Sequence, residues 1–193
     1  MKKLHVGFTM IELLIVISVL GILAVGLLAA VDPFEQLKKA RDTNTRQSAL
    51  SLQTSFIRYY ATHGGLPWNT TSLATCYGAY AGASPAVPVS GIAISDADMS
   101  DCITTGPEGD GELKDGFVLA LSTGADSMFV TSTTASSASV CFAPQSKSVR
   151  AEENVKYDAT GVDTSAVAPD NICSAAWKAA NPTDFATCFY CAK

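Results

Sequence analysis

From Phe8 to Val31 the chain carries a single charge, Glu12, in an otherwise apolar run. A run of this length suffices to cross the hydrocarbon layer of a bilayer, which takes about 20 apolar residues in a helix. The 193 residues leave room for that helix and one modest globular domain; a second independent domain would leave each with too little core. The carboxylate is the anomaly. Such a group costs about 2.5 to 3.5 kcal/mol at the centre of a span and less near its end, so an ionisable residue there reads as functional by default. An amine is the obvious partner. A chain cut after Gly7 would begin at Phe8, with its α-amine about one helical turn before Glu12, a spacing that two neighbouring copies satisfy for each other.

Three other readings of this segment compete, each against particular residues. A secretory signal peptide has a shorter apolar core, followed by a small-residue cut site; here the run is longer, carries Glu12 inside it, and offers only Leu28-Ala29-Ala30 as a weak site. A plain anchor accounts for the length but not for Gly7 before Phe8 and Glu12 four residues on. A buried soluble helix does not explain an apolar run that opens the chain behind Lys2 and Lys3. Those lysines argue for a cytoplasmic start by the positive-inside rule, which puts everything after Val31 outside the cytoplasm.

Lys2-Lys3 followed by Gly7-Phe8-Thr9-Met10-Ile11-Glu12-Leu13 resembles the class III leader and N-terminus of type IV pilins and pseudopilins. The resemblance implies that prepilin peptidase cuts after Gly7 and methylates the new N-terminal Phe8, and that Glu12 neutralises the N-terminus of an adjacent subunit during filament assembly. It implies an α+β pilin-like fold, with a long N-terminal helix packed on a small antiparallel meander with disulfide-tied loops. The chain then divides into a leader, 1–7; a transmembrane and assembly half of the helix, 8–31; and a periplasmic or extracellular head, 32–193, which includes the amphipathic half of the helix to about residue 63. The implied partners are the membrane, prepilin peptidase, the pilus assembly machinery, and copies of itself or related pilins. The motif covers residues 1–31; beyond Pro67 the likeness is only architectural.

Charge is divided unevenly. From Asp32 to Thr62 there are five basic residues against three acids, whereas from His63 onward six basic residues face fourteen acids. An acidic head is a poor footprint for duplex nucleic acid, which requires clustered Lys and Arg. Six cysteines, Cys76, Cys102, Cys141, Cys173, Cys188 and Cys191, all follow the apolar run. An even number in an extracytoplasmic domain reads as a disulfide framework with fifteen connectivities open. The preferred single pair is Cys76 with Cys102, closing a Gly/Ala/Pro-rich loop. Cys188-Phe189-Tyr190-Cys191 also has redox C-x-x-C spacing, but a redox pair works best at a helix N-terminus; zinc would need further Cys or His ligands at suitable spacing.

Along the chain, Asp32-Pro33 should break or kink the helix. Leu37, Ala40, Leu52, Phe56, Tyr59 and Tyr60 recur at helical spacing beyond it, with Glu35/Lys39 and Lys38/Asp42 as i,i+4 charge pairs. His63-Gly64-Gly65-Leu66-Pro67 supplies the stop. Gly21 and Gly26 weaken the apolar half by about 1 kcal/mol each relative to Ala, or allow close helix packing; in the resembled family some filaments lose helical order here. Residues 66–115 read as loop. Gly116–Leu121, Met128–Ser132 and Ser139–Phe142 read as strands of a meander, Lys156-Tyr157-Asp158 as an edge strand, Asp158–Gly161 as a turn, and the final segment with Trp177 as tied back by disulfides.

Catalysis finds little support. His5 leaves with the leader, His63 sits at a helix end, and no P-loop occurs. Asp96-Ala97-Asp98-Met99-Ser100-Asp101 and Glu108-Gly109-Asp110-Gly111-Glu112, with Asp115, are oxygen-rich, yet Asp101 stands where an EF-hand starting at Asp96 needs Gly, so both read as solvated acidic loops and no metal or cofactor is assigned. Asn69-Thr70-Thr71 is a glycosylation sequon by pattern. The expectation is a structural prepilin rather than an enzyme, held in the cytoplasmic membrane and then assembled into a surface pilus. The alternatives are a secretion or competence pseudopilin, and a membrane-tethered adhesion or binding module that does not polymerise.

Overall fold

A computed structural model describes residues 8–30, 32–69, 76, 91–122, 128–134, 136–165, 171–181, 184 and 187–193. It divides into two compact units at Leu37/Lys38. The first holds α1 (Met10–Ala30) and the opening of α2 (Pro33–His63). The expected single long helix is therefore two helices. Asp32 accepts the N–H groups of Phe34 at 3.1 Å and Glu35 at 3.3 Å, and Pro33 takes the first helical position, where its missing donor costs nothing.

The second unit packs the rest of α2 on a five-stranded antiparallel sheet. Its strands are β1 (Ile92–Ala93), β2 (Met128–Thr134), β3 (Ser137–Phe142), β4 (Val155–Tyr157) and β5 (Phe189–Ala192), in the order β1-β2-β3-β5-β4. Only the first three strands form a meander. The C-terminal strand enters between β3 and β4, pairing Val140 with Ala192, Cys141 with Cys191 and Phe142 with Tyr190. Lys156 and Tyr157 lie in edge strand β4 as expected, and in the turn after it Gly161 donates its N–H to Asp158 O at 3.0 Å. Gly161 has φ +78, and a Cβ there would lie 2.6 Å from Thr131 Cγ2, so only glycine lets this turn rest on the sheet.

Alternation along the strands separates two faces. Met128, Val130, Val140, Phe142 and Ala192 join Ala49, Leu52 and Phe56 of α2 in the main core, with Phe56 edge-on to Trp68 at 5.3 Å. Phe129, Cys141 and Cys191 form a second cluster. The Leu37 and Ala40 part of the predicted stripe stays exposed, and Asp42 does not pair with Lys38. It is 3% exposed and accepts the N–H groups of Gln145 at 3.0 Å and Ser146 at 2.7 Å. Arg46 pairs with Glu152 at 2.6 Å and lies over the Tyr190 ring, and Arg58 pairs with Glu112 at 2.8 Å. These three side chains, spaced along α2, fasten it to the head.

Two expected coil or strand segments are helical. Ala97–Ile103 forms α3, extended by an i→i+5 turn over Thr104–Glu108. Gly116–Leu121, read as a strand, falls largely in α4 (Phe117–Ser122). Gly116 at φ +75 redirects the chain, and the Glu108 carboxylate accepts the N–H groups of Phe117 and Val118, satisfying donors that a helix start leaves open. Val118 is buried while Leu119 is 73% exposed. The short helices α5 (Lys147–Arg150) and α6 (Ala175–Ala180) complete the head.

Candidate assembly site and disulfide framework

The start of α1 is organised by two side chains. Thr9 accepts the N–H of Glu12 on its hydroxyl at 3.3 Å, and the Glu12 carboxylate reaches back to Thr9 Oγ1 at 3.2 Å and Thr9 N at 3.5 Å. This is a reciprocal capping box, threonine at the N-cap and glutamate three residues on. Thr9-Met10-Ile11-Glu12 spells that pattern, a signal missed when Glu12 was weighed only as an intramembrane charge. The carboxylate thus has a local partner and sits in the first turn of the helix, where the macrodipole favours negative charge. Gly7 and the proposed cut lie outside the described residues; Phe8, just after it, is 71% exposed.

From Met10 to Leu28 the helix is long and apolar enough to cross a bilayer, as an anchor or as a signal sequence, and none of it is buried. Nineteen residues at 1.5 Å each span about 28 Å, close to the hydrocarbon thickness. Ser18 returns its hydroxyl to Leu14 O at 2.8 Å, which hides the one other polar side chain of the span. Added Cβ atoms at Gly21 and Gly26 would meet nothing within 4 Å.

All six cysteines are bonded, as Cys76–Cys102, Cys141–Cys191 and Cys173–Cys188. The first is the preferred pair. The C-x-x-C at 188 and 191 is split between two bonds: Cys191, within β5, meets its β3 neighbour on the second face, and Cys188, just before β5, joins the Cys173, Val155 and Trp177 cluster. A dithiol redox pair is thereby excluded in this state.

The acidic segments are used structurally. Asp96 caps α3 through the N–H groups of Asp98 and Met99, Glu108 caps α4, and Glu112 holds Arg58. Asp110 lies 3.4 Å from His63 Nε2, whose ring stacks on Tyr59. Among the described residues, no three His, Cys, Asp or Glu side chains are grouped to hold a metal ion. Elsewhere, Lys156 and Ser165 hold the Asp163 carboxyl down to about 2, and the same ion pair raises Lys156. Of the sequon, Asn69 is described, whereas Thr70 and Thr71 lie outside the described residues. No protein-family model, curated protein or solved structure matches this chain.

Proposed function

We propose that this chain is a membrane-stored structural subunit that is cut after Gly7 and polymerises through α1 into a type IV pilus or a related filament. The observation carrying this reading is the pairing of a fully unburied apolar helix with one carboxylate in its first turn. Lipid accounts for the apolar surface. It gives no reason for a charge, and the capping box that Glu12 completes could be completed as well by a neutral glutamine. An amine on a neighbouring Phe8 would require the charge. Cysteines confined to the segment after α1 and fully bonded support an extracytoplasmic head.

N-terminal sequencing of the mature protein, with imaging of surface filaments and mass spectrometry of their main component, tests the proposal. The expected terminus is Phe8, methylated, in a protein recovered from filaments. A terminus near Val31 refutes the pilin reading. A Phe8 terminus on a chain that never enters filaments supports the tethered-module alternative.

A further inference from the structure

The Lys and Arg residues of α2 divide by position along the helix. Arg46 and Arg58 pair with Glu152 and Glu112 of the head. Lys38, Lys39 and Arg41, on the turns nearest the apolar run, make no ion pair among the described residues. The acid one turn after Lys38 is engaged elsewhere: Asp42 is buried and accepts the N–H groups of Gln145 and Ser146. Lys39 and Arg41 are exposed, and Lys38 is half-buried. Earlier on the same helix Phe34 and Leu37 are 74% and 59% exposed. Phe34, Leu37, Lys38 and Arg41 fall at i, i+3, i+4 and i+7, the spacing of one helix face.

Chain length alone keeps these cations close to the end of the apolar run. Pro33 is two residues after Val31, a step of at most about 7 Å in any conformation. From Pro33 the helix adds about 1.5 Å per residue, so Lys38 lies within about 15 Å and Arg41 within about 19 Å of Val31. The headgroup layer of a bilayer fills about 5 to 7 Å beyond the hydrocarbon on each side. Lys and Arg extend their stems along apolar surface while their charged heads stay in water. An anionic headgroup surface attracts such cations within a Debye length, about 8 Å at physiological salt. A helix face that sets Phe and Leu beside Lys and Arg suits that interface.

We infer that Lys38, Lys39 and Arg41 bind the headgroups of anionic phospholipids at the membrane surface from which α2 leaves. Charge-assisted hydrogen bonds from Lys and Arg to phosphate are the strong ones available there. The acidic head of a second copy offers charge of the same sign, but it must be brought to the cations, whereas lipid tethered beside them by α1 is present at high effective concentration. The inference rests on α1 lying in a membrane, as in the proposed function, and is independent of whether α1 polymerises.

The test is NMR of the full chain, a single copy per lipid nanodisc, in discs of phosphatidylcholine alone and in discs mixed with phosphatidylglycerol, each carrying a headgroup spin label. The amides of Lys38, Lys39 and Arg41 are expected to broaden in the anionic discs and to stay sharp in the neutral ones. About 1 M salt, which shortens the Debye length to about 3 Å, should remove the broadening. Each of Lys38→Gln, Lys39→Gln and Arg41→Gln should lower the bound-to-free ratio about fivefold, while Arg41→Lys, which keeps the charge, and Lys114→Gln, in the head, should leave it in place. Glutamine retains helix propensity, and an unchanged amide spectrum of the head shows that the variants fold. Slow hydrogen exchange across α1 in both discs reports that α1 is in the bilayer. With α1 protected, equal broadening in the two kinds of disc, or a triple Gln variant that broadens like the parent, overturns the inference and leaves the membrane reading standing. An unprotected α1 overturns both. Broadening that appears only with a second copy in the disc gives the cations to a neighbour's acidic head and overturns the lipid inference.

Discussion

Replacing Glu12 in two ways separates its capping role from the assembly role proposed for it. Glu12→Gln keeps a side-chain oxygen for Thr9 Oγ1 and Thr9 N, which lie 3.2 and 3.5 Å from the carboxylate, and so preserves the capping box while deleting the charge. Glu12→Leu deletes both. Loss of the cap costs about 0.5 to 2 kcal/mol and is felt within one subunit. The ion pair proposed with the amine of a neighbouring Phe8 would be a larger quantity: two charges about 4 Å apart at an effective dielectric of about 20 interact by about 4 kcal/mol. Losing it would lower the subunit-addition constant by up to about a thousandfold. Neither substitution opposes insertion, since removing a carboxylate from a span lowers its transfer cost. The expected result is that both variants are expressed, cut and membrane-localised like the parent, that both fail to give filaments at equal protein level, and that Glu12→Asp is intermediate. Filament yield by pelleting and imaging is the assay. A Gln variant that assembles as well as the parent refutes the ionic role and leaves Glu12 as a helix cap.

Asp42→Ala leaves the N–H groups of Gln145 and Ser146 without their buried acceptor and should lower the unfolding free energy by about 2 to 4 kcal/mol; denaturant unfolding of the full chain measures this, with Asp42→Asn losing less. Reduction should lower the melting temperature, because loops of 15 and 50 residues closed by Cys173–Cys188 and Cys141–Cys191 contribute about 3 and 4 kcal/mol in the chain-entropy account. Peptide mapping of unreduced protein should find Cys188 and Cys191 in different bridges. Asp163 titrates at about 2 in the fold, below its ordinary 3.8, so its contribution is present above the ordinary value and is lost as pH falls through about 2. Solvent screening keeps that contribution small. The Thr164 amide, bonded to Lys156 O, should exchange faster across this acid window, and Asp163→Asn should abolish the change.

What was legible in the sequence was legible for physical reasons. The apolar run after Gly7 announced a helix, none of which is buried from Met10 to Leu28, and Asp32-Pro33 announced its end. Met128–Phe142 alternates cleanly enough for β2 and β3 to emerge. The apolar string Phe117-Val118-Leu119-Ala120-Leu121 has no such alternation, so its period could not decide between strand and helix; the cap that decides it comes from Glu108, nine residues away. Thr9-x-x-Glu12 and Asp96 before Asp98 are readable as helix starts, since each places a capping oxygen two or three residues before the N–H groups it accepts. The insertion of β5 beside β3 depends on long-range pairing and on Cys141–Cys191, which no local pattern carries.

Within the proposed function, the cysteines support an orientation that the lysines do not fix. Lys38, Lys39 and Arg41 follow within thirteen residues of Leu28, and none of them makes an ion pair among the described residues. The positive-inside rule counts cations within about 15 to 20 residues of the span ends, so these three weigh against the cytoplasmic start that Lys2 and Lys3 argue for. The cysteines weigh for it. Three bonds with no free thiol are of the kind that persists in an oxidising compartment, and one of them, Cys141–Cys191, joins the paired strands β3 and β5 inside the sheet. On the proposed reading, a head with these bonds would fold outside the cytoplasm, which would leave the capping box at the start of α1 on the cytoplasmic side.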